Sequence, residues 1–278
     1  MNSNIKLIAF DLDGTVLNSK KNITPRTLEA IHKALSGGIH IIPATGRQLF
    51  DIPQQIKDCA PSFIIANNGA QIYSMPGENL DRSTCYEKNT VLALLRDFRS
   101  FRGMIFGAYD TVGAFDNKGR GFEEGITNRK RNSATWKINY QLTDIEALIL
   151  EGKRFIKLVM IFEDPAERQR AFDRFLPRAD LYVTYFAEDN IEIMPAGISK
   201  GKALEFVAEK LNIDMKNVMA IGDSDNDKEM IQKAGLGIAM GNAAEGIKAA
   251  ADEVVPDCDR DGAALAIEKV LSPGQTPR

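Results

Sequence analysis

Leu7-Ile8-Ala9-Phe10-Asp11-Leu12-Asp13-Gly14-Thr15 is an apolar run that stops abruptly on two carboxylates, a glycine and a hydroxyl. Such a run predicts a buried parallel strand, and open α/β sheets bind ligands in the crevice beyond the C-terminal ends of their strands. Side chains alternate along a strand, so Asp11 and Asp13 are expected close together on one side, with Leu12 turned away. Close carboxylates repel, so one must be protonated or a cation must neutralise both. Gly14 lets the chain turn sharply and approach a ligand closely. Standing alone, an Asp-x-Asp turn serves equally well for local backbone hydrogen bonds; the rest of the chain decides between the readings.

The strand-to-turn-to-helix unit recurs. Thr24-Pro25 reads as an N-cap followed by proline at the first helical position, with Leu28, Ile31, Ala34 and Leu35 on one face and Gly37-Gly38 at the end. A second buried strand, 39–43, runs into Ala44-Thr45-Gly46-Arg47 before a helix expected near Gln48. Hydroxyls and amides at a helix start suit an anion, and Arg47 adds positive charge. A third strand, 63–66, meets Asn67-Asn68-Gly69-Ala70, a hairpin signal, with 71–73 returning. Ser199 is a plausible N-cap for the next helix, which carries Lys200 and Lys202 in its first turn. That is the wrong end of the helix dipole for a cation, so an anion is expected nearby. A strand at 218–221 then ends in Gly222-Asp223-Ser224-Asp225-Asn226-Asp227. A calcium-binding EF-hand loop would need glycine at its sixth position and glutamate at its twelfth; counted from Asp223 these are Lys228 and Ala234, so that reading fails. Two more strand-helix units, 237–250 and 254–271, complete the sheet, and the tail from Ser272 is expected to fray.

Between about Met75 and Asp189 the alternation breaks down. Helices near 91–101, 144–150 and 165–176 mix with strands at 104–109, 112–115, 155–162 and 181–186, which reads as a second α+β module inserted into the first. The expected division is a core of residues 1–76 and 190–278 and an insertion of residues 77–189. The 278 residues are enough for such a pair, and 44% hydrophobic with 26% charged residues is ordinary for a globular protein. A net charge of −3 offers no whole-chain field for nucleic acid or an anionic membrane, and the short basic run Asn128-Arg129-Lys130-Arg131 is expected to be a solvated loop. Cys59, Cys85 and Cys258 are scattered, without metal-site spacing, and imply a reducing compartment. No secretory leader is expected, and the strongest apolar run, 155–162, is too short to cross a bilayer and contains Lys157. The expectation is a cytoplasmic protein without membrane or nucleic-acid partners, a monomer or weak homo-oligomer. His32 and His40 read as structural, so acid–base work falls to carboxylates or lysine.

Strand ends thus offer carboxylates, a hydroxyl, a lysine and more carboxylates, a set that fits one hard cation and one phosphoryl group. Mg²⁺ takes oxygen ligands, one or two of them protein carboxylates, and Asp11 and Asp223 would supply those. A carboxylate can act as nucleophile and form an aspartyl-phosphate, while Thr45 and Lys200 stabilise the transferring group.

Asp11-Leu12-Asp13-Gly14-Thr15, Thr45-Gly46-Arg47, Lys200 and Gly222-Asp223-Ser224-Asp225-Asn226-Asp227 resemble, in order, the four motifs of the haloacid dehalogenase-like phosphatases. Asn67-Asn68-Gly69-Ala70, the insertion and Pro195-Ala196-Gly197-Ile198-Ser199-Lys200-Gly201 look like its Cof-type branch with a type IIB cap. The resemblance implies a Rossmann-like parallel core with an α+β cap that closes over it and chooses the substrate. It implies Asp11 as nucleophile and Asp13 as general acid, then base. Asp11, the Asp13 carbonyl and Asp223 would hold Mg²⁺ with support from Asn226 and Asp227. Thr45, Gly46 and Lys200 would bind the phosphoryl oxygens, with Arg47 and Asn68 facing cap and substrate. The expected activity is Mg²⁺-dependent hydrolysis of a small phosphorylated metabolite, a sugar phosphate or phosphorylated cofactor. The alternatives are a phosphomutase, a receiver-like signalling domain and a phosphometabolite sensor without turnover.

Overall fold

The structure, a computed structural model, describes residues 4–109, 112–116, 140–185 and 188–271. Its strands in chain order are β1 (Leu7–Phe10), β2 (His40–Pro43), β3 (Phe63–Ala66), β4 (Gln71–Ser74), β5 (Asn79–Ser83), β6 (Met104–Tyr109), β7 (Val112–Asp116), β8 (Tyr140–Thr143), β9 (Phe155–Ile161), β10 (Leu181–Thr184), β11 (Asn190–Pro195), β12 (Val218–Gly222), β13 (Leu236–Ala239) and β14 (Glu253–Val254). The chain divides into two compact units, one of residues 1–82 with 199–278 and one of residues 83–198.

In the first unit five parallel strands lie in the order β14-β13-β12-β1-β2. β1 is flanked on both sides, with Leu7 opposite Val218 on β12 and opposite His40 on β2. Alternation along β1 explains the layers. Ile8 and Phe10 pack with Ala30, Ile31, Ala264 and Ile267, from helices Pro25–Ser36 and Gly262–Leu271. Leu7 and Ala9 pack with Ala203, Leu204 and Val207 of helix Lys200–Lys210. All four β1 side chains are buried, which is why the run lacks polar residues.

Local chemistry sets the helix starts. The Thr24 hydroxyl accepts the N–H of Thr27 and Pro25 opens the helix, as the sequence predicts. The helix expected near Gln48 is instead a single 3₁₀ turn, Leu49–Asp51, followed by the short helix Gln54–Asp58. Pro53 between them lacks an N–H and holds Ile52 extended. β3 and β4 form the predicted hairpin, extended by β5, in a separate sheet that an isolated bridge between Ala44 and Ile65 links to the end of β2. Asn67 and Asn68 both sit at positive φ, a conformation asparagine tolerates better than most residues.

The second unit is a six-stranded sheet, β10-β11-β9-β6-β7-β8, antiparallel except between β7 and β8. Helices Lys88–Phe98, Ile145–Leu150 and Pro165–Phe175 bring Leu94, Phe98, Ile149 and Phe175 onto Leu158, Met160, Ile191 and Ile193. Lys157, the charge inside the apolar run, is neutralised by a buried ion pair with Glu192 at 2.7 Å. The expectation that 191–194 re-enters the core meets a different pairing. β11 lies between β9 and β10, because Ile191 and Ile193 alternate into the second unit's own core. The basic run 128–131, the end of the expected strand at Phe186 and the tail 272–278 lie outside the described residues. Among those described, no helix is long and apolar enough to cross a membrane.

Because Ile8 is wholly buried in the flanked strand, Ile8→Ala is expected to cost about 2–5 kcal/mol in urea denaturation. A cost below about 1 kcal/mol would mean that β1 is not at the centre of the core.

Candidate active site

β1 hands on its geometry beyond its last residue, since the Asp11 N–H still donates to the Ile221 carbonyl, 3.0 Å, in the β12 ladder. By alternation Asp11 falls on the face of Leu7 and Ala9, the face covered by helix Lys200–Lys210. Ser199 starts that helix by accepting the N–H of Lys202 at 3.0 Å. Lys200, its first residue, donates to Asp11 Oδ1 at 2.7 Å and to Asp227 Oδ1 at 2.6 Å. The lysine and Asp227 side chains are fully buried and Asp11 is nearly so. The anions that a first-turn lysine asks for are therefore these two carboxylates.

Asp227 works twice. Its Oδ2 accepts the N–H groups of Asp223 and Ser224, both at 3.0 Å, which folds the acidic loop around it. Asp223 then receives the Thr15 hydroxyl on Oδ1 and the Asn242 amide on Oδ2, each at 3.1 Å. One oxygen from each of Asp11, Asp223 and Asp227 lies within 4.8 Å of the others. Burial pushes Asp11 up to about 8; Lys200 opposes this while Asp227 and Asp223 add to it. Asp223 is raised to about 6 by burial and then by Asp227. Burial alone would lower Lys200, yet the two carboxylates outweigh it and raise it above the usual lysine range.

Asp13 does not stand beside Asp11 as a second unneutralised acid. The turn after Leu12 carries its carboxylate away from the cluster of three and into a bidentate pair with Arg47, 2.7 Å to each oxygen, joined by Lys21 Nζ at 2.8 Å. Burial tends to raise it, but Arg47 and then Lys21 prevail and hold it down at about 2. Arg47, expected to face substrate, is engaged by Asp13 and by the Asp51 carbonyl at 2.8 Å. A carboxylate in bidentate register is the preferred partner of a guanidinium, which is the physical reason for the difference.

The remaining predicted residues line the neighbouring loops. Thr45 is buried, and its hydroxyl oxygen accepts the Arg47 N–H at 3.1 Å, which leaves the hydroxyl hydrogen to be donated. Asn68 donates its N–H to the Thr45 carbonyl at 2.9 Å, and its Oδ1 accepts from Asn226 Nδ2 at 2.9 Å. The amide pair thus ties the Thr45 loop to the acidic loop. Gly46 lies against the same Asn68, where a Cβ would meet Oδ1 at 3.0 Å. Gly14 has φ +82 and any Cβ there would collide with the Asp223 carboxylate, so this position requires glycine for both reasons.

These residues fit a hard cation. Asp11 and Asp223 keep lone pairs beyond their present hydrogen bonds, while both oxygens of Asp227 are occupied by Lys200 and the loop amides. Asn226 Oδ1 is buried with no hydrogen-bond partner among the described residues, a further oxygen suited to a cation or its water. Of the expected ligand set, Asp11 and Asp223 therefore keep oxygens that could take a cation, whereas both oxygens of Asp227 are already engaged. Three contacts carry no sequence-level expectation: Thr15 on Asp223, Lys21 on Asp13 and Asn242 on Asp223. Thr15 and Asn242 each follow a glycine in the turn beyond a core strand, on the side of the sheet where the crevice lies; nothing in the local sequence marks Lys21.

The haloacid dehalogenase-like hydrolase family model matches residues 8–267. The 5-amino-6-(5-phospho-D-ribitylamino)uracil phosphatase YcsE of Bacillus subtilis is 32% identical over 95% of this chain and 94% of its own. The solved structure of the HAD phosphatase BT1666 from Bacteroides thetaiotaomicron superposes with a TM-score of 0.83 at 25% identity, covering 97% of this chain and 96% of that one. In fold the chain is also similar to the solved subclass IIB sugar phosphatase BT4131, with a TM-score of 0.81 at 22% identity over 95% and 98% of the two chains. The chain belongs to the haloacid dehalogenase-like hydrolase family, as a phosphatase of the Cof type with a Rossmann-like core and a type IIB cap.

Proposed function

We propose that this protein hydrolyses a small phosphorylated metabolite, a sugar phosphate or a phosphorylated cofactor, through an aspartyl-phosphate on Asp11 with Mg²⁺ as cofactor. The observation that carries the reading is the Asp11 carboxylate at the end of β1, with one oxygen held by Lys200 at 2.7 Å and Asp223 and Asp227 beside it. The substrate class is supported by a relative whose name specifies a phosphorylated ribitylamino-uracil. The unpaired Cys59, Cys85 and Cys258 support a cytoplasmic setting, and the protein is read as a monomer or weak homo-oligomer.

Asp11 and Asp223, with the Asp13 carbonyl, would hold the cation, which when bound neutralises the acids and draws negative charge off the phosphoryl oxygens. Lys200 fixes Asp11 Oδ1, so the other oxygen is the one free to attack phosphorus. As that P–O bond forms, the bond to the leaving oxygen breaks and Asp13 supplies its proton. Water then attacks the same phosphorus, gives a proton to Asp13, and frees phosphate and the Asp11 carboxylate. Paired with Arg47 and Lys21, Asp13 is ready as the base of the second step. The first step requires that pairing to loosen so that Asp13 takes up a proton from solvent before giving it to the leaving oxygen, and phosphate oxygens are the ligand class that competes for a guanidinium. Thr45 and Lys200 would donate to the transferring group as charge develops.

Asp11→Asn is expected to lower kcat on p-nitrophenyl phosphate at saturating Mg²⁺ by at least about a thousandfold with the fold intact by circular dichroism. Retention of more than about a tenth of the activity would remove Asp11 as nucleophile. A second expectation concerns pH. Asp11 loses its proton near its ordinary 3.8 in the unfolded chain but only at about 8 in the metal-free fold. The metal-free protein therefore loses stability as pH rises through that window. Since Mg²⁺ takes ionised ligands, the rise in Tm it produces should be larger at about pH 8.5 than at about pH 6. An equal or smaller rise at the higher pH would contradict the assignment of Asp11 to the cation.

A further inference from the structure

Asn242, in the loop after β13, belongs to none of the motifs above, yet it touches two of them. Its Nδ2 donates to the Gly14 carbonyl at 2.9 Å and to Asp223 Oδ2 at 3.1 Å. Its Oδ1 accepts the Cys258 N–H at 3.1 Å. A backbone N–H can face only the oxygen of an amide, so the Cys258 contact decides which way Asn242 points, and both Nδ2 hydrogens are then directed at the catalytic loops. The side chain is exposed, but all three contacts join separate strand ends, and the Met240 N–H holds β13 to the Gly222 carbonyl alongside at 3.0 Å.

We infer that Asn242 is a positioning residue for the cation site, fixing the rotation of the Asp223 carboxylate and the Gly14–Thr15 peptide of the opening turn through hydrogen bonds to Asp223 Oδ2 and the Gly14 carbonyl. This rests on the proposal that Asp11 and Asp223 hold Mg²⁺. Asp223 meets two neutral donors from opposite strands, the Thr15 hydroxyl on one oxygen and Asn242 on the other. Those bonds leave the carboxylate little freedom to turn, so its remaining lone pairs keep one direction. The Gly14 carbonyl lies one peptide beyond the expected carbonyl ligand, so holding it restrains the turn that carries the Asp13 carbonyl. Groups that orient metal ligands from behind usually change affinity about 10–100-fold when removed.

The test is isothermal titration calorimetry of metal-free protein with MgCl₂, for wild type, Asn242→Ala and Asn242→Ser, with kcat, KM and Tm measured beside it. The expected result is a Mg²⁺ Kd raised about 10–100-fold in Asn242→Ala, less in Asn242→Ser, with KM for p-nitrophenyl phosphate at saturating Mg²⁺ changed less than about threefold. Should Asn242→Ala fail to fold, Asn242→Ser carries the comparison. Wild-type binding with an unchanged Kd in the folded variants, and only a lowered Tm, would make Asn242 a structural latch and overturn the inference. Absence of Mg²⁺ binding by wild type would instead overturn the cation reading on which it rests.

Discussion

A buried lysine between two buried carboxylates is the interaction on which the rest of this structure depends. Lys200 reaches Asp11 and Asp227 at 2.7 and 2.6 Å, with no water-accessible surface on the lysine or on Asp227. Desolvating such charges costs several kcal/mol each, and that cost is recovered only when geometry and hydrogen bonding are nearly complete. The fold completes them: β1 sets Asp11, helix Lys200–Lys210 sets the lysine, and two loop amides satisfy the far oxygen of Asp227. The charge count nevertheless stays negative, with one lysine against Asp11, Asp223 and Asp227. Burial raises Asp11 and Asp223 and that surplus adds to it; the surplus is what a hard cation would relieve.

The two aspartates of the opening motif live in opposite environments although one residue separates them. Asp11 is buried with a single cation shared with another acid, and its proton is held to about 8. Asp13 is more exposed, is paired with both Arg47 and Lys21, and stays ionised down to about 2. Two carboxylates driven apart in this way can take different parts in one reaction. The difference comes from the turn at Gly14: the chain leaves the strand after Phe10, and the Leu17 N–H closes back on the Leu12 carbonyl at 2.8 Å, so strand alternation no longer governs Asp13.

Much of this was legible in the sequence because it follows from local periodicity. The all-apolar run of β1, Thr24-Pro25 at a helix start and the hairpin at Asn67-Asn68 each have a short-range cause, and the structure bears each out. The acidic ends of β1 and β12 could be read as neighbours because adjacent parallel strands deliver their C-termini to one edge. What could not be read depends on pairing at a distance. The alternation of Ile191 and Ile193 is the same whether the strand joins one sheet or the other, and only its partners β9 and β10 decide. In the same way nothing near Arg47 announces Asp13, 34 residues away, as its partner. Lys21 and Asn242 are ordinary polar residues until the turns bring them to Asp13 and Asp223.

The claim that Asp11 carries the phosphoryl group is tested most directly by trapping. Enzyme quenched during turnover of a phosphorylated substrate and treated with borohydride should yield homoserine at position 11 in the peptide spanning β1, because the reagent reduces an acyl phosphate and leaves a free carboxylate intact. The account predicts that product at Asp11 and at no other acid of the cluster. Phosphate release with no modification at position 11, or with modification at Asp13 or Asp223 instead, would contradict it.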